Sequence, residues 1–119
     1  MLMVVMAAAA ALQGAGPVTT VQIESARTAL DERLLDYPSA RFRAVSGNGY
    51  AICGSVNAKN RLGAYSGWAR FVTIWREGST TLYVEEPGKE PPLVLQTFCA
   101  EGRAPVSRDL STEMTGRGG

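Results

Sequence analysis

With 119 residues, 45% of them hydrophobic, and a net charge of +1, the chain has room for one small domain and lacks the basic excess of a nucleic-acid-binding protein. It contains no histidine, which removes Ser-His-Asp and Cys-His catalysis, imidazole metal sites and imidazole pH switching. Two cysteines without histidine cannot complete an ordinary zinc shell, so neither metal nor cofactor is expected.

Residues 1–16 carry no charge and include five consecutive alanines after Met6. The apolar run is too short to span a bilayer and suits the hydrophobic region of a secretory signal, with Gly14-Ala15-Gly16 as a small-residue cleavage site. Against this stand the absence of a preceding Lys or Arg and the presence of Pro17 after the cut. The alternative, a buried N-terminal helix, needs cover on every side, which so short a chain can hardly supply. The expectation is an exported protein, periplasmic or secreted, with no transmembrane span in the mature chain. In an oxidising compartment Cys53 and Cys99 read as one disulfide. In the chain-entropy model, closing that loop stabilises the fold by about 4 kcal/mol. A redox pair has little support without a Cys-x-x-Cys spacing.

Thr19 opens a helix, and Gln22 completes a capping box. Ile23, Ala26, Leu30, Leu34 and Tyr37 recur at helical spacing and form one apolar stripe, while Arg27 can pair with Asp31. Pro38 stops the helix. A strand begins at 41–45, with Phe42 and Ala44 on one face and Arg41 and Arg43 on the other. Gly47-Asn48-Gly49 is a hairpin turn, because Asn and Gly tolerate positive φ. The second strand, 50–58, places Tyr50, Ile52, Gly54, Val56 and Ala58 on one face and Ala51, Cys53, Ser55 and Asn57 on the other. After a loop at 59–67 come strands at 68–76 and 80–85. Three prolines then break the pattern within 86–92. For Leu93–Cys99 periodicity leaves helix and strand open; Pro92 suits the start of a helix. The fold class is therefore α+β: an N-terminal helix on a four-stranded antiparallel meander, with a short C-terminal segment tied by the disulfide. The domain runs over 19–100, and 101–119, rich in Gly, Ser, Thr and Arg, is expected to be a disordered tail.

Asp36, Pro38, Ser39, Ala40, Phe42 and Arg43, then Cys53-Gly54-x-Val56-Asn57-Ala58-Lys59-Asn60, then Gly63, Tyr65 and Gly67 follow one pattern. In it the chain resembles a family of small uncharacterised secreted proteins of Gram-negative bacteria, over roughly residues 34–74. Tyr37 and Ala64 depart from that pattern: one lengthens the helix exit by a residue, the other stands where a second glycine is usual. The resemblance implies export and a disulfide through Cys99. It brings no activity.

No acid lies between Tyr37 and Arg76, yet Arg41, Arg43, Lys59, Arg61, Arg70 and Arg76 do, interleaved with Tyr50, Tyr65 and Trp68. Such a surface can hold an anionic or sugar-bearing partner by charge and stacking; equally, edge-strand charges keep a sheet from pairing with another. Asn57 and Asn60 can touch a ligand or hold the loop by bonding its backbone. Trp68, Phe71, Trp75 and Tyr83 read as core or cross-strand pairs. A Ser-Lys arrangement of Lys59 with Ser66 has no spacing to support it, and Glu85 and Glu86, adjacent on a strand, point to opposite faces. The sequence thus favours noncatalytic binding of a protein or an anionic envelope component through the 57–68 loop and neighbouring arginines. A secreted hydrolase inhibitor is the second reading and a histidine-free enzyme the third.

Overall fold

Thr19 caps the first helix as its sequence predicts. In the computed structural model, which describes residues 16–100 and 107–115, the Gln22 amide donates to Thr19 Oγ1 (3.1 Å) and the Thr19 amide to Gln22 Oε1 (3.4 Å). This satisfies two of the otherwise orphaned donors of α1, Thr20–Arg33. The Gln22 side chain is buried and its Nε2 donates to the Asn48 carbonyl (2.6 Å), so the cap also locks the helix to the first hairpin turn. The helix ends at Arg33, short of the expected Pro38 stop. Leu34 is already extended, and Tyr37 reaches the core through a 3-10 turn, Tyr37–Ser39. α1 thus ends before Pro38 can act on it, and Ser39 closes the 3-10 turn by bonding the Asp36 carbonyl and carboxylate. Arg27 pairs with Glu24 (3.5 Å) and donates to the Tyr37 hydroxyl (3.3 Å), not to Asp31 as expected.

Strands β1 (Arg41–Gly47), β2 (Ala51–Lys59), β3 (Tyr65–Arg76) and β4 (Ser79–Val84) form one antiparallel sheet in the order β1-β2-β3-β4. One correction concerns β1. Ala44 takes φ +53° within a bulge between Arg43 and Ser46, so the alternation slips by one. Val45, not Ala44, joins Phe42 on the side facing α1, and Ala44 is exposed. Opposite Val45, Gly54 lets the strand approach: a Cβ there would lie 2.6 Å from Val45 Cγ2.

The main core lies between α1 and the sheet and holds Ile23, Ala26, Leu30, Val45, Ile52, Val56 and Phe71. The other face carries a smaller cluster of Ala51, Cys53, Val72 and Leu95 under a second helix, α2, Leu93–Cys99. Cys53 and Cys99 are joined, their Cα atoms 5.8 Å apart. The fold is α+β, with helices on both faces of the sheet.

The disordered tail expected from residue 101 onward is corrected for 107–115. Ser111–Met114 is a short helix, α3, and Leu110 and Met114 are fully buried in the main core. Two apolar side chains four residues apart suffice to anchor this otherwise polar segment. It also covers part of the free edge of β1. The Leu110 amide donates to the Val45 carbonyl (2.7 Å), the Val45 amide to Ser111 Oγ (3.2 Å) and the Gly47 amide to Ser107 Oγ (3.0 Å). The expected signal segment lies outside the described residues, apart from Gly16.

Candidate functional site

α2 covers the face of the sheet around Cys53 and Val72. Further along the same face, two-residue alternation from Cys53 brings up Ser55 and Asn57, and the register sets Arg43 and Arg70 beside Ser55 and Arg41 and Trp68 beside Asn57. Thus the strands bring together six of the residues singled out in the sequence: Arg41, Arg43, Asn57, Lys59, Tyr65 and Trp68. The Arg41 guanidinium carbon lies 4.2 Å from the centre of the Tyr65 ring, with Lys59 Nζ at 5.5 Å from the same ring. Arg43 lies 4.0 Å from the centre of the Trp68 ring. The ring quadrupoles hold these cations at about 0.5–1 kcal/mol each in exposed positions.

The Tyr65 ring is anchored, and the backbone that carries Trp68 is fixed. Tyr65 donates its hydroxyl proton to the Ser39 carbonyl (2.8 Å). Trp68 follows Gly67, whose φ of +102° favours glycine and whose amide donates to Asn57 Oδ1 (2.9 Å). At the hairpin tip Asn60 Oδ1 accepts from the Leu62 and Ala64 amides (2.9 and 3.2 Å), and Gly63 takes the left-handed conformation. Ala64 does not have positive φ, which accounts for a tolerated alanine. The two asparagine oxygens are therefore spent on the loop's shape. Arg61 is exposed at the tip beside Leu62 and shares no ring contact with the other cations among the described residues.

Arg70 belongs to the same face but is neutralised. Its Nε and Nη2 donate to Glu85 Oε2 (3.1 and 2.8 Å), and its amide donates to Glu85 Oε1 (2.9 Å). These bonds hold the Glu85 carboxyl below the usual carboxylate range and push the Arg70 guanidinium up. Glu86 turns instead to Arg33 and Lys89 (3.1 and 2.8 Å). Among the described residues Arg41, Arg43, Lys59 and Arg61 enter no ion pair. Four cations thus remain uncompensated on and beside this face.

Sequence reasoning missed two features of this arrangement. Glu85 lies outside the acid-free stretch yet reaches back across the sheet to quench one arginine, which only strand register could have disclosed. Of the aromatic residues expected in the core or in cross-strand pairs, Phe71 is fully buried, while Trp68 and Tyr83 pair across the sheet with Asn57 and Val72 and stay 39% exposed, which the sequence does not distinguish. Lys59 rests over an aromatic ring, and no hydrogen bond joins it to Ser66 among the described residues. The same residues contain no cluster of three or more His, Cys, Asp or Glu able to hold a metal ion, and no helix long and apolar enough to cross a membrane.

Comparisons with protein families, with curated proteins and with solved structures find no match. The resemblance through Cys53-Gly54-x-Val56-Asn57-Ala58-Lys59-Asn60 accordingly stands on the motif alone.

Proposed function

We propose that the chain is an exported, noncatalytic binding module that takes an anionic envelope component or an acidic protein surface. The observation that carries this reading is the ring-braced set of Arg41, Arg43 and Lys59, which lacks ion-pair partners among the described residues. Arginine forks suit carboxylate, sulfate and phosphate groups. Because the guanidinium groups already occupy faces of Tyr65 and Trp68, the rings serve to hold the cations more than to stack a sugar. Successive outward residues on a strand are about 7 Å apart, so Arg41 and Arg43 present two forks suited to a repeating polyanion. Export is supported by the disulfide, which persists in oxidising compartments.

The test is retention on sulfated dextran. The wild-type domain should bind at low salt and elute with salt, whereas Arg41→Glu/Arg43→Glu/Lys59→Glu should flow through while still unfolding cooperatively, its melting temperature lowered only by the lost ring contacts. Equal retention of the two proteins would refute the reading. Crosslinking in the intact envelope would then identify the partner.

The hairpin tip supports a second reading, inhibition of a hydrolase. Leu62 is 92% exposed on a loop braced by both Asn60 bonds, the geometry of a residue offered to a partner's cleft. Saturable one-to-one inhibition of a candidate hydrolase, lost in Leu62→Gly, would favour it.

A further inference from the structure

On the far side of α2 from the cationic site, the same sheet face forms a half-open groove of about 520 Å³. Its floor is the cross-strand pair Ile74 and Thr81, and its helical wall is Val94 and Phe98, one turn apart on α2. Tyr50 and Tyr83, 44% and 39% exposed, line it with aromatic rings. Arg76 is its one charged lining residue among those described, and it enters no ion pair among them. The volume falls in the range of small-molecule sites, about 300–1,000 Å³, and the make-up matches such sites: apolar and aromatic walls with a few polar groups, of which Arg76 alone is charged.

We infer that this groove binds a small aromatic carboxylate, its ring against Tyr50, Tyr83 and Phe98 and its acid group on the Arg76 guanidinium. The choice of occupant follows from the lining. A single uncompensated cation asks for a single negative charge, and three aromatic side chains favour a planar body that can pack edge-to-face against them. The disulfide has a part here too: it secures the helix that supplies Val94 and Phe98, so the groove depends on oxidised Cys53 and Cys99. The site shares no residue with the cationic face and does not rest on the binding role proposed for it.

The experiment is calorimetric titration of the full oxidised chain with 2-naphthoate, its neutral isostere 2-naphthalenemethanol, and decanoate. Saturable one-to-one binding of 2-naphthoate is expected, with the alcohol and decanoate each weaker by about tenfold, the loss of one charge-assisted pair or of the ring contacts. Arg76→Gln should lower the naphthoate affinity about tenfold, leave the alcohol unchanged and preserve the melting temperature, because Arg76 is exposed. Arg43→Gln should leave naphthoate binding intact. The inference is overturned if naphthoate fails to saturate, if the alcohol or decanoate binds as tightly, or if Arg43→Gln and not Arg76→Gln removes binding.

Discussion

The Tyr37 hydroxyl donates to the carbonyl oxygen of Met114, 77 residues later in the chain. This bond joins the exit of α1 to α3 and ties the C-terminal segment into the core, with Leu110 and Met114 both fully buried. Leu110→Ala should therefore cost about 2–5 kcal/mol in a denaturant titration, the range for a buried leucine truncated to alanine. Ending the chain at residue 106 should go further. It removes Leu110 and Met114 and uncovers the Val45 and Gly47 groups on the edge of β1, so concentration-dependent association by size-exclusion chromatography is expected. A truncated chain as stable and as monomeric as the full one would contradict this role.

Much of the fold was legible because local rules and tertiary packing agree in it. Thr19 and Gln22 form their capping box, β2 turns Ile52 and Val56 to one core and Ala51 and Cys53 to the other as its two-residue period requires, and Cys53 meets Cys99. Where they disagree, the sequence misled. A bulge at Ala44 cannot be read from alternation, since alanine gives no sign of φ +53°. The tail looked disordered by composition because its polar residues outnumber Leu110 and Met114, yet two anchors decide its place. The candidate site was visible as a cluster of cations without acids; its geometry was not, because the pairing of Arg43 with Trp68 and of Arg70 with Glu85 depends on register across all four strands.

Burial raises the Tyr37 phenol above its ordinary value, and the neighbouring Arg27 only partly offsets this. A raised folded value means that the unfolded chain releases the proton first. The stabilising contribution is complete below about pH 10 and is lost as pH rises through the folded value. Tyr37→Phe should flatten the alkaline limb of a melting temperature against pH profile above pH 10. The variant should also be less stable at neutral pH, having lost the bonds to Arg27 and Met114. An alkaline limb identical in both proteins would exclude Tyr37 as its cause.

The disulfide closes a 46-residue separation, for which the chain-entropy model gives a contribution of about 4 kcal/mol. Its loss should act unevenly. Leu95 is the one fully buried residue of α2, and a seven-residue helix is marginal by itself, so α2 should loosen while α1 and the main core persist. In Cys53→Ser/Cys99→Ser, hydrogen exchange at 93–99 should rise well above that of β2 and β3. Uniform acceleration across the domain would indicate a single cooperative unit instead.

Gly54 marks where β1 and β2 crowd Phe71. An added Cβ would sit 2.6 Å from Val45 Cγ2 and 3.1 Å from Phe71 Cε2. Both neighbours are buried, so Gly54→Ala should cost about 1–3 kcal/mol as an overpacked core, read as a lowered denaturant midpoint at unchanged slope. No loss of stability would mean that β1 can shift at its bulge.

Glu85 sets how many cations the candidate site presents. Its carboxylate takes both Arg70 Nε and Nη2, and Arg70 and Arg43 flank Ser55 in the sheet. In Glu85→Gln the Arg70 charge is released toward the face that holds Arg43 and Arg41. If that face binds a polyanion, the variant should elute from sulfated dextran at higher salt than wild type, because one more cation takes part in the screened attraction. The same change has a predictable cost on the acid side. Since the folded Glu85 value is lowered by Arg70, the stability it confers is present above the ordinary carboxylate value of about 4.3 and is lost as pH falls through the folded value. Wild type should therefore lose melting temperature below pH 4.3 more steeply than Glu85→Gln, which lacks the titrating group. Tighter retention together with a flatter acid limb would place both effects on the one ion pair; unchanged retention would show that Arg70 does not belong to the binding surface.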